Sequence, residues 1–330
     1  MSLVLLILAL VVLSYVLSRA TDVLIGGIVQ LSRGTAFEAY GLTTFLVALA
    51  TSLPELFVGV TAALEGRPSL PLGVLMGSNI ANVSLVVGGA AVISGAIRAK
   101  KQVYKKDIAY AFLAGILPMV LISDGVLSRI DGLVLVAIYV WFVIATMSKK
   151  KRERLEKEGD EFGGELDLTH RVLALVGKQD VEMGLLRLTV GSAMLVVCAD
   201  WIVRLAQIIA EMAQIPVLIV GLFMVSVGTV MPELSFEIKA AGKREYMMVF
   251  GNLIGSIVAN SSLILGLVAL ISPVLIDGNK MTYFGSAAFF VFIFGLFWWF
   301  TCSKKELTRL EGAILVGCYL AFALVQIGLA

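Results

Sequence analysis

The chain has 330 residues, 59% of them hydrophobic and only 15% charged, with a mean hydropathy of +0.97. This composition excludes a pair of ordinary water-soluble domains and makes lipid the expected solvent. The net charge of +2 says little by itself, because the placement of the basic residues carries the information, and no nucleic-acid partner is expected.

Windows of about 20 apolar residues, long enough to cross ~30 Å of hydrocarbon, predict ten helices. In chain order they lie near 2–31, 39–64, 70–97, 105–123, 128–147, 183–211, 215–240, 245–272, 281–301 and 307–329. The first apolar run begins at Leu3 with neither a basic leader nor a small-residue cleavage site, so it reads as a retained helix. Many of these segments are rich in glycine and other small residues, which suits close packing between membrane helices. Cys198, Cys302 and Cys318 lie in or beside apolar runs without metal-ligand spacing and read as small packing residues.

Alternate connections differ sharply in charge. The segments near 32–38, 98–106, 148–182, 239–245 and 302–309 hold 20 Lys and Arg, whereas the opposite set holds only Arg67, Arg129 and Lys280. The positive-inside rule makes the basic set cytoplasmic and puts both termini outside. The segment K-K-K-R-E-R-L-E-K-E-G-D-E-F-G-G-E-L-D from Lys149 is too polar for lipid and reads as a cytoplasmic connector, helical near Lys149–Lys157. His170, the only histidine, falls in it and reads as solvated.

The chain also repeats itself. V-A-L-A-T-S-L-P-E-L from Val47 with G-S-N-I-A-N from Gly77 is matched by S-V-G-T-V-M-P-E-L from Ser226 with G-S-I-V-A-N from Gly255, at an offset of 178 without a gap. Asp22 matches Asp200 at the same offset, and R-I-D-G-L-V-L-V-A-I-Y from Arg129 matches R-L-E-G-A-I-L-V-G-C-Y from Arg309 at 180. The expected organisation is therefore a first five-helix repeat over 1–147, a cytoplasmic connector over 148–182 and a second repeat over 183–330. Five is odd, so the second repeat would enter the membrane inverted, a construction common in secondary transporters.

Glu55 and Glu233 occupy equivalent positions inside apolar segments, where a carboxylate is costly unless it meets a cavity or a cation. No Lys, Arg or His lies within either motif, so a bound cation or a proton is the expected partner. Thr51 and Glu55 are four apart with Ser52 beside them, and Ser78 and Asn82 repeat the spacing on the next helix, which gives one polar face to each. Carboxylate, hydroxyl and amide oxygens without soft donors suit hard cations. Pro54 and Pro232 lack the N–H that would bond the carbonyls of Ala50 and Gly228, and the expected kinks loosen nearby carbonyls, those of Ala48, Thr51, Ser226 and Thr229 included. Gly73, Gly77, Gly251 and Gly255 form small-xxx-small pairs that are expected to bring helices 70–97 and 245–272 close enough to present Ser78, Asn82, Ser256 and Asn260 to the carboxylates. Asn82 and Asn260 also suit plain interhelical bonding. Asp22 with Arg19 and Asp200 with Arg204 have the spacing of ion pairs within a helix, and Asp131 and Glu311 that of helix-start residues.

The paired motifs resemble the two α-repeats of the cation/calcium antiporter superfamily, in its prokaryotic sodium/calcium exchanger branch. The resemblance covers the ten-helix layout and implies a secondary antiporter working by alternating access, with the first and sixth helices moving across the second, third, seventh and eighth. It implies calcium bound by Glu55 and Glu233 with backbone oxygens of Thr51 and Thr229. Sodium would use these together with Ala48, Ser52, Ser78, Ser226 and Ser256, with Asn82 nearby. Two departures stand out. Val230 replaces the serine of the usual T-S-L-P-E, and Asn260 stands where many prokaryotic members have Asp. The G-N-x-x-E pattern of the proton-coupled branch is absent, which favours sodium, with a calcium/proton antiporter as the alternative and a cation channel as a more distant one. An intramembrane enzyme would need a nucleophile–base pair or metal-binding histidines that the sequence lacks. The expected partners are calcium and sodium ions and the lipid bilayer, with no cofactor and no obligatory protein partner.

Overall fold

The structure, a computed structural model, describes residues 2–32, 50–98, 104–157, 178–276, 280–304 and 306–328. Ala48, His170 and much of the connector lie outside the described residues. The described chain is all-α apart from four two-residue strands. We label the helices α1 (Leu3–Ser32), α2 (Leu53–Leu64), α3 (Ser69–Ser94), α4 (Tyr104–Leu121), α5 (Arg129–Lys157), α6 (Lys178–Ala213), α7 (Val217–Thr229), α8 (Met231–Gly242), α9 (Tyr246–Ile271), α10 (Lys280–Lys304) and α11 (Arg309–Gly328).

Eight of these are long and apolar enough to cross a membrane, and α7 with α8, bent by 42° at their junction, makes a ninth candidate if the pair is counted as one span. Helix α2 is short, and the first part of the predicted helix 39–64 lies outside the described residues. Helix α5 runs unbroken past the membrane-length segment to Lys157, so the start of the connector is helical as its Glu and Lys spacing predicts.

Helix α3 is almost wholly buried and α9 largely so, whereas α5 and α11 present most of their surface outward. The outward faces carry Leu, Val, Ile, Phe and Trp side chains, as lipid-facing helices must. One apolar cluster joins α1 and α6 to the near faces of α2, α3 and α7. A larger one gathers α4, α5, α10 and α11 around α3 and α9.

Close approach between helices rests on glycine. A Cβ added at Gly88 would stand 2.9 Å from the Gly312 carbonyl oxygen, and one at Gly132 would stand 2.7 Å from that of Gly266. The offsets of 178 and 180 turn the first of these pairs into the second, so α3 meets α11 as α9 meets α5. The strands follow the same exchange. β1 (Ile97–Arg98) pairs antiparallel with β4 (Glu306–Leu307), and β2 (Val126–Leu127) with β3 (Val274–Leu275). Helices α1 and α6 are seated on one another at Gly27 and Gly191, where an added Cβ would lie 2.8 Å from the Gly184 carbonyl oxygen and 2.8 Å from the Leu24 Cβ.

The weaker acidic candidates take structural roles. Arg19 pairs with Asp22 at 3.4 Å, and Arg204 grips Asp200 through two bonds of 3.0 Å. At the start of α5 the Ser128 N–H and hydroxyl donate to Asp131, and at the start of α11 those of Thr308 donate to Glu311, each forming a capping box.

Candidate cation site

Both Pro-Glu motifs sit at a break in a helix. Ser52 has φ −86° and ψ 5°, and Val230 has φ −83° and ψ 2°. The helix restarts in each case with proline in its first turn, where a missing N–H costs nothing. Glu55 and Glu233 therefore stand in the first turns of α2 and α8, at the positive ends of two helix dipoles. Both are 0% exposed. Neither takes part in an ion pair among the described residues.

Helix α3 supplies the link between the two motifs. The Ser78 hydroxyl donates to Glu55 Oε1 at 3.2 Å and lies 3.2 Å from the Thr229 hydroxyl. This approach depends on Gly73 and Gly77, where a Cβ would lie only 2.2 Å and 2.1 Å from the carbonyl oxygens of Leu218 and Leu222. The helix that Gly73 and Gly77 admit is thus α7, not α9 as the sequence led us to expect. Contact between α3 and α9 runs through side-chain amides instead. The Asn79 amide N–H donates to the Ser261 hydroxyl at 2.7 Å, and that of Asn260 donates to Asn79 Oδ1 at 3.3 Å.

Several of the predicted ligands carry oxygens that no group among the described residues satisfies. Glu55 Oε2, both carboxylate oxygens of Glu233, Asn82 Oδ1, Asn260 Oδ1 and the Ser256 hydroxyl are buried without a hydrogen-bond partner among the described residues. Buried polar atoms are as a rule paired, so buried oxygens left without partners, those of two carboxylates among them, are the donor type that a hard cation takes. Helix α3 and helix α9 each pass through a turn of π-helix at this depth, Asn82–Val86 and Ala259–Ile264, and such turns recur at functional sites.

Three more predicted residues are hydrogen-bonded or buried within the protein. Thr51 is buried and donates to Asn252 Oδ1 at 3.1 Å. Ser52 is buried at the break. The Ser226 hydroxyl bonds the Leu222 carbonyl at 2.5 Å. Contrary to expectation, the Ser226 carbonyl is not released by the kink, because it accepts from the Val230 N–H at 3.1 Å and the Thr229 hydroxyl at 3.1 Å. Asn260 bridges to Asn79 on α3 as interhelical bonding would have it, while Asn82, itself on α3, bonds no other helix among the described residues.

Asn79, Asn252 and Glu237 were not singled out from the sequence. The signal was present, since Asn252, Ser256 and Asn260 recur every four residues on α9 and so share one face.

A sequence model of the sodium/calcium exchanger protein family matches residues 2–147 and again 183–328. The inner membrane protein YrbG of Escherichia coli (strain K12) is 30% identical over 233 residues, which are 70% of this chain and 69% of that protein. The sodium/calcium exchanger MaX1 of Methanosarcina acetivorans is 25% identical over 319 residues, 88% of this chain and 89% of that one. Among solved structures, the sodium-calcium exchanger NCX_Mj soaked with 10 mM Na+ and zero Ca2+ has the same fold, with a TM-score of 0.62 at 25% identity over 96% of this chain and 98% of its own. Matched by the family's model over both halves, this chain belongs to the sodium/calcium exchanger family.

Proposed function

We propose that the chain is a secondary antiporter that exchanges calcium for sodium at Glu55 and Glu233 by alternating access. One observation carries this reading: two fully buried carboxylates at equivalent helix breaks, with orphaned oxygens and no described cationic side chain bonded to them. One calcium ion neutralises the pair, and so do two sodium ions, so the two cargoes compete for the same charge. Thr51, Thr229, Ser52, Ser78, Ser256, Asn82, Asn260 and Ser226, with Ala48, complete the proposed set of oxygen ligands.

Ten membrane helices in two inverted repeats, 1–147 and 183–330 around a 148–182 connector, are the architecture we assign. Its support is the exchange of Gly88–Gly312 with Gly132–Gly266, the two matching strand pairs and the twofold match of the family's model. Helices α1 and α6, seated on each other through glycine, are suited to move as a unit across α2, α3, α7, α8 and α9. Both termini are assigned outside a cell membrane, and the connector inside, on the division of basic residues.

Calcium uptake into vesicles of the purified protein tests the reading. Uptake is expected to follow an imposed sodium gradient, to saturate and to stop when sodium is removed. Uptake driven by a pH gradient and indifferent to sodium would instead make the protein a calcium/proton antiporter, and flux that does not saturate would make it a channel.

A further inference from the structure

The proposed site leaves one fully buried acid without a role. Glu237 lies four residues beyond Glu233 on α8 and is 1% exposed. That spacing puts the two side chains on one helix face, with about 5–6 Å between their Cβ atoms. Glu237 Oε1 accepts from the Asn252 amide N–H at 3.4 Å, while Oε2 has no hydrogen-bond partner among the described residues. Asn252 is itself 0% exposed, and its Oδ1 accepts from the Thr51 hydroxyl. A polar chain therefore runs from Glu237 on α8, through α9, to the residue beside the first helix break.

The other half of the molecule has no such chain. At the offset of 178, Glu237 corresponds to Gly59 and Asn252 to Val74. Gly59 closes on the methyl groups of Val268 and Ile264, and Val74 is buried among apolar side chains. Both polar partners are thus replaced together by apolar packing.

Bonding between helices does not need an acid here, because glutamine would offer Asn252 the same acceptor. An ionised carboxylate in apolar surroundings is costly without a counter-charge. A protonated one would have to place its O–H on an acceptor, and no described group bonds Oε2. Lys239 is two residues away on the same helix, a spacing that does not face Glu237. Among the described residues no three His, Cys, Asp or Glu side chains form a group that could hold one metal ion, and Glu237 stands one helical turn beyond Glu233. Its single charge and hard oxygens match a monovalent hard cation, since a divalent ion there would leave a net positive charge in a low-dielectric site.

We propose that Glu237 holds a sodium ion at a second position, one helical turn from Glu233, and that Asn252 ties its occupancy to Thr51. This rests on the reading of Glu55 and Glu233 as the calcium site. It also makes the two halves unequal: one of the two approaches to the centre carries a sodium position, and the other is sealed by aliphatic packing.

Equilibrium binding of radioactive calcium to the purified full chain, displaced by sodium, tests the proposal. Glu237→Gln is expected to raise the sodium needed for half-displacement by about tenfold and to flatten the curve, because a buried charge partner is lost. Glu237→Asp should recover part of the effect. The double variant Glu237→Leu with Asn252→Val, which reproduces the apolar character of the first half, should show the same loss of sodium response. Sodium curves identical to wild type in Glu237→Gln and the double variant would overturn the proposal. So would an equal loss of calcium affinity with no sodium present. A changed pH response with an intact sodium curve would assign the position to protons and overturn the sodium assignment. Failure of the wild-type chain to bind calcium at all would defeat the reading of the central pair instead, and the two failures are distinct.

Discussion

Among the described residues, Glu55 and Glu233 are held in place by backbone geometry more than by side-chain partners, since both oxygens of Glu233 and Oε2 of Glu55 lack a hydrogen-bond partner there and Ser78 donates to the remaining one. Changing either to Gln removes one charge and keeps the shape, so each variant should stay folded and lose calcium transport. Retained calcium flux in Glu55→Gln and Glu233→Gln vesicles would count against the site. Val230 tests the site more finely. It takes the same backbone conformation as Ser52, yet its side chain is 1% exposed and belongs to the apolar cluster around α3 and α9. Val230→Thr keeps the volume and adds an oxygen, and a cation in a low-dielectric site gains from each added ligand. The expected result is a lower half-saturating sodium concentration in Thr, with Ser giving the same trend at a cost of about 1 kcal/mol from lost packing. An unchanged or higher sodium requirement in the Thr variant would show that residue 230 does not face the ion. At this scale the carboxylates were legible, because an ionisable group in an apolar run is too costly to serve as mere packing. Asn79 and Asn252 were not, since a neutral amide in a membrane helix reads equally well as packing. Glu237 was hidden by Lys239, Lys243 and Arg244, which make the end of α8 read as the start of a loop.

At the scale of elements, the helix breaks at Ser52 and Val230, just before Pro54 and Pro232, and bends by 42° at the second, but the sequence misjudged which helix the glycines of α3 admit. A small-xxx-small pair says that some backbone comes close, and nothing in the pattern names the partner. In the structure that partner is α7, and the consequence can be measured. A Cβ at Gly77 would also lie 2.6 Å from the Ser226 hydroxyl. Gly77→Ala must therefore push α3 away from α7 and pull Ser78 from Thr229. Overpacking of this kind costs about 1–3 kcal/mol, so the variant should show a lowered thermal unfolding midpoint together with weakened calcium binding. Gly89 on the same helix is the control, because its added Cβ would meet only Leu234 Cδ1 at 3.5 Å. Gly89→Ala should leave calcium binding at the wild-type level. Equal behaviour of the two alanines would separate the site from the contact between α3 and α7.

For the whole molecule, hydropathy windows find apolar length but cannot see a break. They therefore joined α7 to α8, which the structure bends by 42°, and they carried the second predicted helix across residues that the structure does not describe. The offset between the halves, 178 in the motifs and 180 from Arg129 onward, was the more informative signal, because it anticipates which contacts exchange. If Gly88–Gly312 and Gly132–Gly266 are related by an axis lying in the membrane plane, equivalent loops must open on opposite sides. Residues 123 and 243 lie one on each side of the charge division, and both are exposed. Ser123 sits at the turn before Asp124, in the poorly basic set, and Lys243 follows the end of α8, in the basic set. With Cys198, Cys302 and Cys318 replaced by alanine or serine to remove background, Ser123→Cys should react with an impermeant maleimide in intact cells. Lys243→Cys should react only after permeabilisation, because burying the Lys and Arg of its loop outside would reverse the bias that sets orientation. Labelling of both positions from the same side would break the inverted arrangement, since no tilt or register change carries one of these loops across ~30 Å of hydrocarbon.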